Sequence, residues 1–109
     1  MINEEKLDRV LLDLGHDDFC KGTALLREAV KIYKPGMRII TQIYEPIGAA
    51  HGMTAQAVER AMRHSIEKAW TRGDTQTQVE YFGYSVNSYD PKPTVSECVA
   101  RLARCCRAD

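Results

Sequence analysis

The stretch Thr54-Ala55-Gln56-Ala57-Val58-Glu59-Arg60-Ala61-Met62-Arg63-His64 decides how the rest of this chain reads. Wound at about 100° per residue, it gathers Gln56, Glu59, Arg60 and Arg63 within roughly 100° of arc. Val58, Ala61, Met62, Ser65, Ile66 and Ala69 fall opposite, over roughly 140°. One side can pack while the other projects side chains that match base edges. Arg pairs with guanine, Gln with adenine, and Glu accepts from cytosine.

The residues just before it sharpen the pattern. Ile47-Gly48-Ala49-Ala50-His51-Gly52-Met53-Thr54 reads as a short helix, a tight turn and a helix start. Pro46 suits the first position of the short helix, where an N–H has no partner anyway. Gly52 can take the positive φ of a sharp turn, and the Thr54 hydroxyl can cap the longer helix. Small Gly48 and Ala49 let the two helices approach, with Ile47, Met53 and Val58 between them. Any two packed helices joined through a glycine share these features. The motif alone leaves DNA reading and plain helix packing equally open.

Composition narrows the choice. A chain of 109 residues, 44% apolar, is expected to form one domain over 1–109, with the helix-turn-helix at about 46–72. No signal peptide or membrane span is legible, so a cytoplasmic location is expected and no membrane partner. Formal net charge is zero, yet the charges are unevenly placed. Residues 1–34 hold seven acids and six bases, whereas 54–72 hold Arg60, Arg63, Lys68 and Arg72 against Glu59 and Glu67. Residues 92–107 hold Lys92, Arg101, Arg104 and Arg107 against Glu97 alone. A local basic surface on a neutral protein suits sequence reading better than indiscriminate binding.

Cys20, Cys98, Cys105 and Cys106 have no C-x-x-C spacing, and His16, His51 and His64 are scattered. Reduced, mostly buried thiols are the better reading than zinc or redox chemistry. No metal or other cofactor is expected. No acid–base constellation, nucleophile motif or phosphate-cradling glycine loop points to an enzyme.

Residues 3–14 predict an amphipathic helix through Leu7, Val10, Leu11 and Leu14, capped by Asn3 and stopped by Gly15. A second helix is expected from about Asp18 to Lys34, with Phe19, Leu25, Leu26, Ala29, Val30 and Tyr33 inward. A third is expected over 37–45, followed by the helix-turn-helix pair, whose second helix ends at Gly73. Residues 74–93 read as a loop, since one isolated strand through Val79, Tyr81 and Val86 would lack a partner. Thr94-Val95-Ser96-Glu97 is a capping-box signature opening the last helix, with Val95, Val99, Leu102 and Cys106 inward. The expectation is an all-α fold of about six helices.

Several stretches together resemble a known family. They are Lys21-Gly22, Leu26-Arg27-Glu28-Ala29-Val30, Val58-Glu59-Arg60-Ala61-Met62-Arg63-His64, Ala69-Trp70-Thr71-Arg72-Gly73, Phe82-Gly83-Tyr84-Ser85 and Lys92-Pro93-Thr94-Val95-Ser96-Glu97. In this order they resemble the C-terminal DNA-binding effector domain of the sporulation response regulator. The resemblance implies a winged-helix-like, six-helix effector fold that reads double-stranded boxes of the TGTCGAA type. It also implies a head-to-tail homodimer on tandem boxes and contact with the sigma subunit of RNA polymerase near Phe82 and Tyr84. In the family a receiver domain precedes this module and inhibits it until phosphorylated. That receiver is not in this sequence, which fits an excised piece and a standalone product equally.

The chain departs from the family pattern at three places. Ala57 stands where an Arg is usual, His51 where an aromatic or large apolar residue is usual, and Gly48 where an Ala is usual. Loss of the guanidinium would remove a contact of about 1–3 kcal/mol if it reads a base. A Gly inside the short helix is expected to loosen it by about 0.5–1 kcal/mol. These departures, with the neutral charge, keep a second reading open: an interaction module or antagonist that pairs with a related full-length regulator.

The DNA-contact candidates are Gln56, Glu59, Arg60, Arg63, His64 and Arg72. Each has a plainer role. Arg60 and Arg63 could pair with Glu59 and Glu67 on a solvated face, and a surface Gln near a helix start needs no explanation. His64 could simply pack on the helix flank, and Arg72 could serve the helix end. Trp70 reads as core. Arg101, Arg104 and Arg107 could be a solvated face or meet phosphates or a neighbouring subunit. Phe82 and Tyr84 could anchor a loop into the core or contact a partner.

Overall fold

The computed structural model describes residues 1–73, 75–82 and 92–108. Its helices are α1 (Glu4–Leu14), α2 (Lys21–Ile32), α3 (Glu45–His51), α4 (Ala55–Arg72), α5 (Thr75–Phe82) and α6 (Val95–Cys105), with a π-helical segment, Ile40–Tyr44, running directly into α3. The fold is all-α, as the sequence implies. Among the described residues the only β pairing is a single antiparallel bridge between Ile2 and Arg107.

Local signals explain most boundaries. The Asn3 side chain accepts the Lys6 amide at 3.1 Å, and Glu4 and Glu5 occupy the first turn of α1. At α6 the Thr94 hydroxyl oxygen accepts the Glu97 amide at 3.1 Å and its hydrogen is donated to the Glu97 carboxylate at 3.0 Å. That is the expected box with one variation, since Glu97 answers the Thr94 side chain.

Three expectations need correcting. The second helix starts at Lys21, because the Asp17 carboxylate accepts the Phe19 amide at 2.9 Å and holds a turn there. Phe19 is consequently 98% exposed and takes no part in the inner face. The third helix and the short helix are one continuous run: Glu45 donates its amide to the Ile40 carbonyl, five residues back. Pro46 explains this geometry. A proline inside a helix lacks an N–H and its ring crowds the carbonyl four residues earlier, so the preceding turn widens into π form.

The third correction falls on part of 74–93, of which 74 and 83–91 lie outside the described residues. Thr75–Phe82 is helical, and it docks through Gln78 and Phe82, one turn apart. Gln78 Nε2 donates to the Ala69 carbonyl at 3.2 Å, and the Phe82 ring meets Trp70 edge-on at 5.0 Å. Val79 faces outward. The inward position is held by a polar residue, so the apolar period was hidden.

One core joins these elements. Leu7, Leu11 and Leu14 of α1, Leu25, Leu26 and Val30 of α2, Val58, Met62 and Ile66 of α4, and Val99 and Leu102 of α6 are all buried in it. The α2–α4 pair is the most extensive contact between helices. A Cβ on Gly22 would overlap the Ala61 carbonyl, so glycine is what lets α2 and α4 meet backbone to backbone.

Candidate nucleic-acid interface

The turn between α3 and α4 is built as the sequence suggests. Gly52 takes φ +67°, and Met53 donates its amide to the Gly48 carbonyl at 2.8 Å. The Thr54 hydroxyl accepts the Ala57 amide at 3.1 Å and caps α4. Ile47 and Val58 are buried and Met53 half-buried, so the inner contacts fall where a helix-turn-helix needs them. Gly48 does not loosen this turn. A Cβ there would overlap the Met53 carbonyl, so the missing side chain is what allows the chain to fold back so tightly.

The turn fixes α4 with Val58, Met62, Ser65, Ile66 and Ala69 against the core. Gln56, Arg60, Arg63, His64 and Arg72 are exposed, and Glu59 is half-buried. The Arg63 guanidinium stands 3.9 Å from the Glu59 carboxylate, one turn away. A pair this loose and solvated contributes only a few tenths of a kcal/mol and leaves Arg63 free to turn outward. Arg60 forms no ion pair with any described residue. Phe82 is different: at 2% exposure, packed on Trp70, its side chain is part of the core and offers no surface to a partner. Tyr84 lies outside the described residues.

The family model described as sporulation initiation factor Spo0A, C terminal, matches residues 7–105. The chain belongs to this family. As a Spo0A C-terminal domain it is a DNA-binding module of a sporulation transcription factor, and the family is not one of enzymes. No helix among the described residues is long and apolar enough to cross a membrane.

Two clefts carry further cations in this Spo0A C-terminal domain, and only the smaller is bounded by α4. A shallow cleft of about 270 Å³ separates Glu59, Arg63 and Glu67 of α4 from Lys92, Pro93, Thr94 and Val95. A larger one, about 750 Å³, is lined by Lys31 and Lys34 at the end of α2 and by Arg104 and Arg107 at the end of α6. Cations at helix C-termini complement the helix dipole, which accounts for that cluster without a ligand. All four cysteines are free thiols. Burial pushes the Cys98 thiol up and takes Cys106 up to about 11, which disfavours the thiolates that redox or metal chemistry would need.

Two features escaped the sequence. His51 Nε2 stands 2.6 Å from the Glu28 carboxylate and ties the end of α3 to α2. His16, Ser65 and Thr23 form a buried polar cluster behind α4. A serine on the packing side of the α4 wheel was the one visible clue, since a buried hydroxyl requires a partner.

Proposed function

We propose that this domain reads a TGTCGAA-type box by laying α4 in the major groove. Gln56, Glu59, Arg60 and Arg63 face base edges in this reading, while His64 and Arg72 meet flanking phosphates. One observation carries it: Arg60 and Arg63 project from the open side of a helix whose other side is buried, and no described part of the chain covers them. Family membership supports the same assignment. The domain would bind tandem boxes as a head-to-tail homodimer. Contact with the sigma subunit belongs on the outer side of α5, where Val79 and Glu80 are exposed, because Phe82 is withdrawn into the core.

Selection from a random duplex library, followed by a salt titration of the winner against a scrambled duplex, tests this. A preference for the box that persists as salt weakens both complexes is the expected result. Equal affinity for both duplexes at every salt concentration would overturn it. In that case co-purification with a full-length regulator would support the antagonist reading, which Ala57 motivates.

A further inference from the structure

Behind the open face of α4 lies a polar cluster that DNA contact does not use. His16 is 4% exposed, Thr23 is fully buried and Ser65 is 2% exposed. His16 Nδ1 lies 2.8 Å from the Ser65 hydroxyl oxygen, which lies 2.8 Å from the Thr23 hydroxyl oxygen. His16 Nε2 is buried with no partner among the described residues. Burying such groups is unfavourable unless each is paired, and three apolar residues could fill the same space without that demand.

The distances alone leave the direction of these bonds open, and Nε2 is unpaired in either tautomer. A buried N–H without an acceptor is the costlier of the two orphans, so the proton is assigned to Nδ1. His16 Nδ1–H then donates to Ser65, and the Ser65 hydroxyl donates to Thr23. This diverts Ser65 from the carbonyl four residues back, where a helical serine usually bonds. That carbonyl belongs to Ala61, the very atom against which Gly22 abuts. A steric stop and a polar key therefore fall on consecutive turns of α4.

We propose that His16 is a positioning residue for DNA reading: through Ser65 it sets the rotation of α4 on α2, and with it the direction in which Arg60 and Arg63 project. This rests on α4 being the reading helix. Contacts through Val58, Met62, Ile66 and Ala69 have no preferred direction and tolerate small rotations, whereas a hydrogen bond weakens steeply once its angle is lost. Arg63 and His64 directly precede Ser65, so any turn of the helix there carries them along.

The test compares wild type with His16→Leu, His16→Asn and the triple variant His16→Leu/Thr23→Val/Ser65→Ala. Asn restores a donor close to where Nδ1 stood, and the triple variant leaves no hydroxyl unpaired, so it folds even where the single Leu variant does not. Affinities for boxed and scrambled duplexes are measured at matched salt. In parallel, NMR on the DNA-free protein reads the His16 tautomer and exchange broadening of α4 amides.

Expected are an Nδ1–H tautomer, and a loss of box preference on the order of fivefold in the Leu and triple variants with scrambled binding retained. The Asn variant should keep the wild-type preference, and α4 signals should broaden only in the Leu and triple variants. An Nε2–H tautomer, unchanged preference in the triple variant, or an Asn variant as impaired as Leu would each overturn the proposal. If wild type itself shows no box preference, the DNA reading fails, and the tautomer and α4 broadening still decide the role of His16.

Discussion

His51 Nε2 stands 2.6 Å from the Glu28 carboxylate and so joins the last turn of the short helix to α2. Both side chains are about one-third or more exposed, at 34% and 40%. Solvated pairs of this kind contribute little, typically below about 1 kcal/mol. Glu28→Gln should lower unfolding free energy by less than that amount. Urea titrations of both proteins measure it.

Gly48→Ala should destabilise the domain although alanine is the better helix former. The added methyl meets the Met53 carbonyl, backbone that cannot give way without opening the turn at Gly52. A penalty of about 1–3 kcal/mol is expected from such overpacking. A thermal melt that rises instead would mean that the turn relaxes freely.

Arg60→Ala and Arg72→Ala should fail in different ways. Removal of Arg60 should weaken binding to the selected box by about 1–3 kcal/mol and relax preference at one base pair. Removal of Arg72 should weaken all duplexes alike and lower the salt slope by about one. Competition binding across single-base variants of the box, repeated over a salt series, separates the two.

His16 makes stability depend on pH. Burial lowers its pKa from the ordinary 6.5 to about 4. Between these values the unfolded chain holds the proton and the folded chain does not, so stability rises with pH. The contribution is full above about pH 6.5, falls by up to about 1.4 kcal/mol per pH unit below it, and is lost once the pH drops below about 4. Urea titrations of wild type and His16→Leu from pH 7.5 to pH 4 should diverge in slope across this window. Parallel slopes would show that His16 takes up its proton equally in the folded and the unfolded chain.

The helix-turn-helix was legible because its signals are local. Thr54 caps a residue three positions on, and Gly52 turns the chain by its own backbone. The α4 stripe needs only the helical period. The features that were missed depend on distant partners. His16 finds Ser65 across 49 residues, and Gln78 is buried because the Ala69 carbonyl receives its amide. Pro46 misled for another reason. It marks a helix start when the residues before it are not helical, but here a widened turn carries the helix through. For the DNA-contact candidates the pattern located an open face on α4, and of the two roles the sequence offered Phe82 the structure shows the core anchor, set against Trp70 from a helix where a loop was expected.

The Asn3 amide donates to the Cys106 carbonyl at 2.8 Å and the Ala108 amide to the Met1 carbonyl at 2.9 Å, on either side of the Ile2–Arg107 bridge. Residues 1–3 and 106–108 thus lie side by side at one corner of the body. A short linker could close the backbone into a ring there, and new ends could be cut at the exposed Pro35-Gly36 corner without touching any residue proposed to meet DNA.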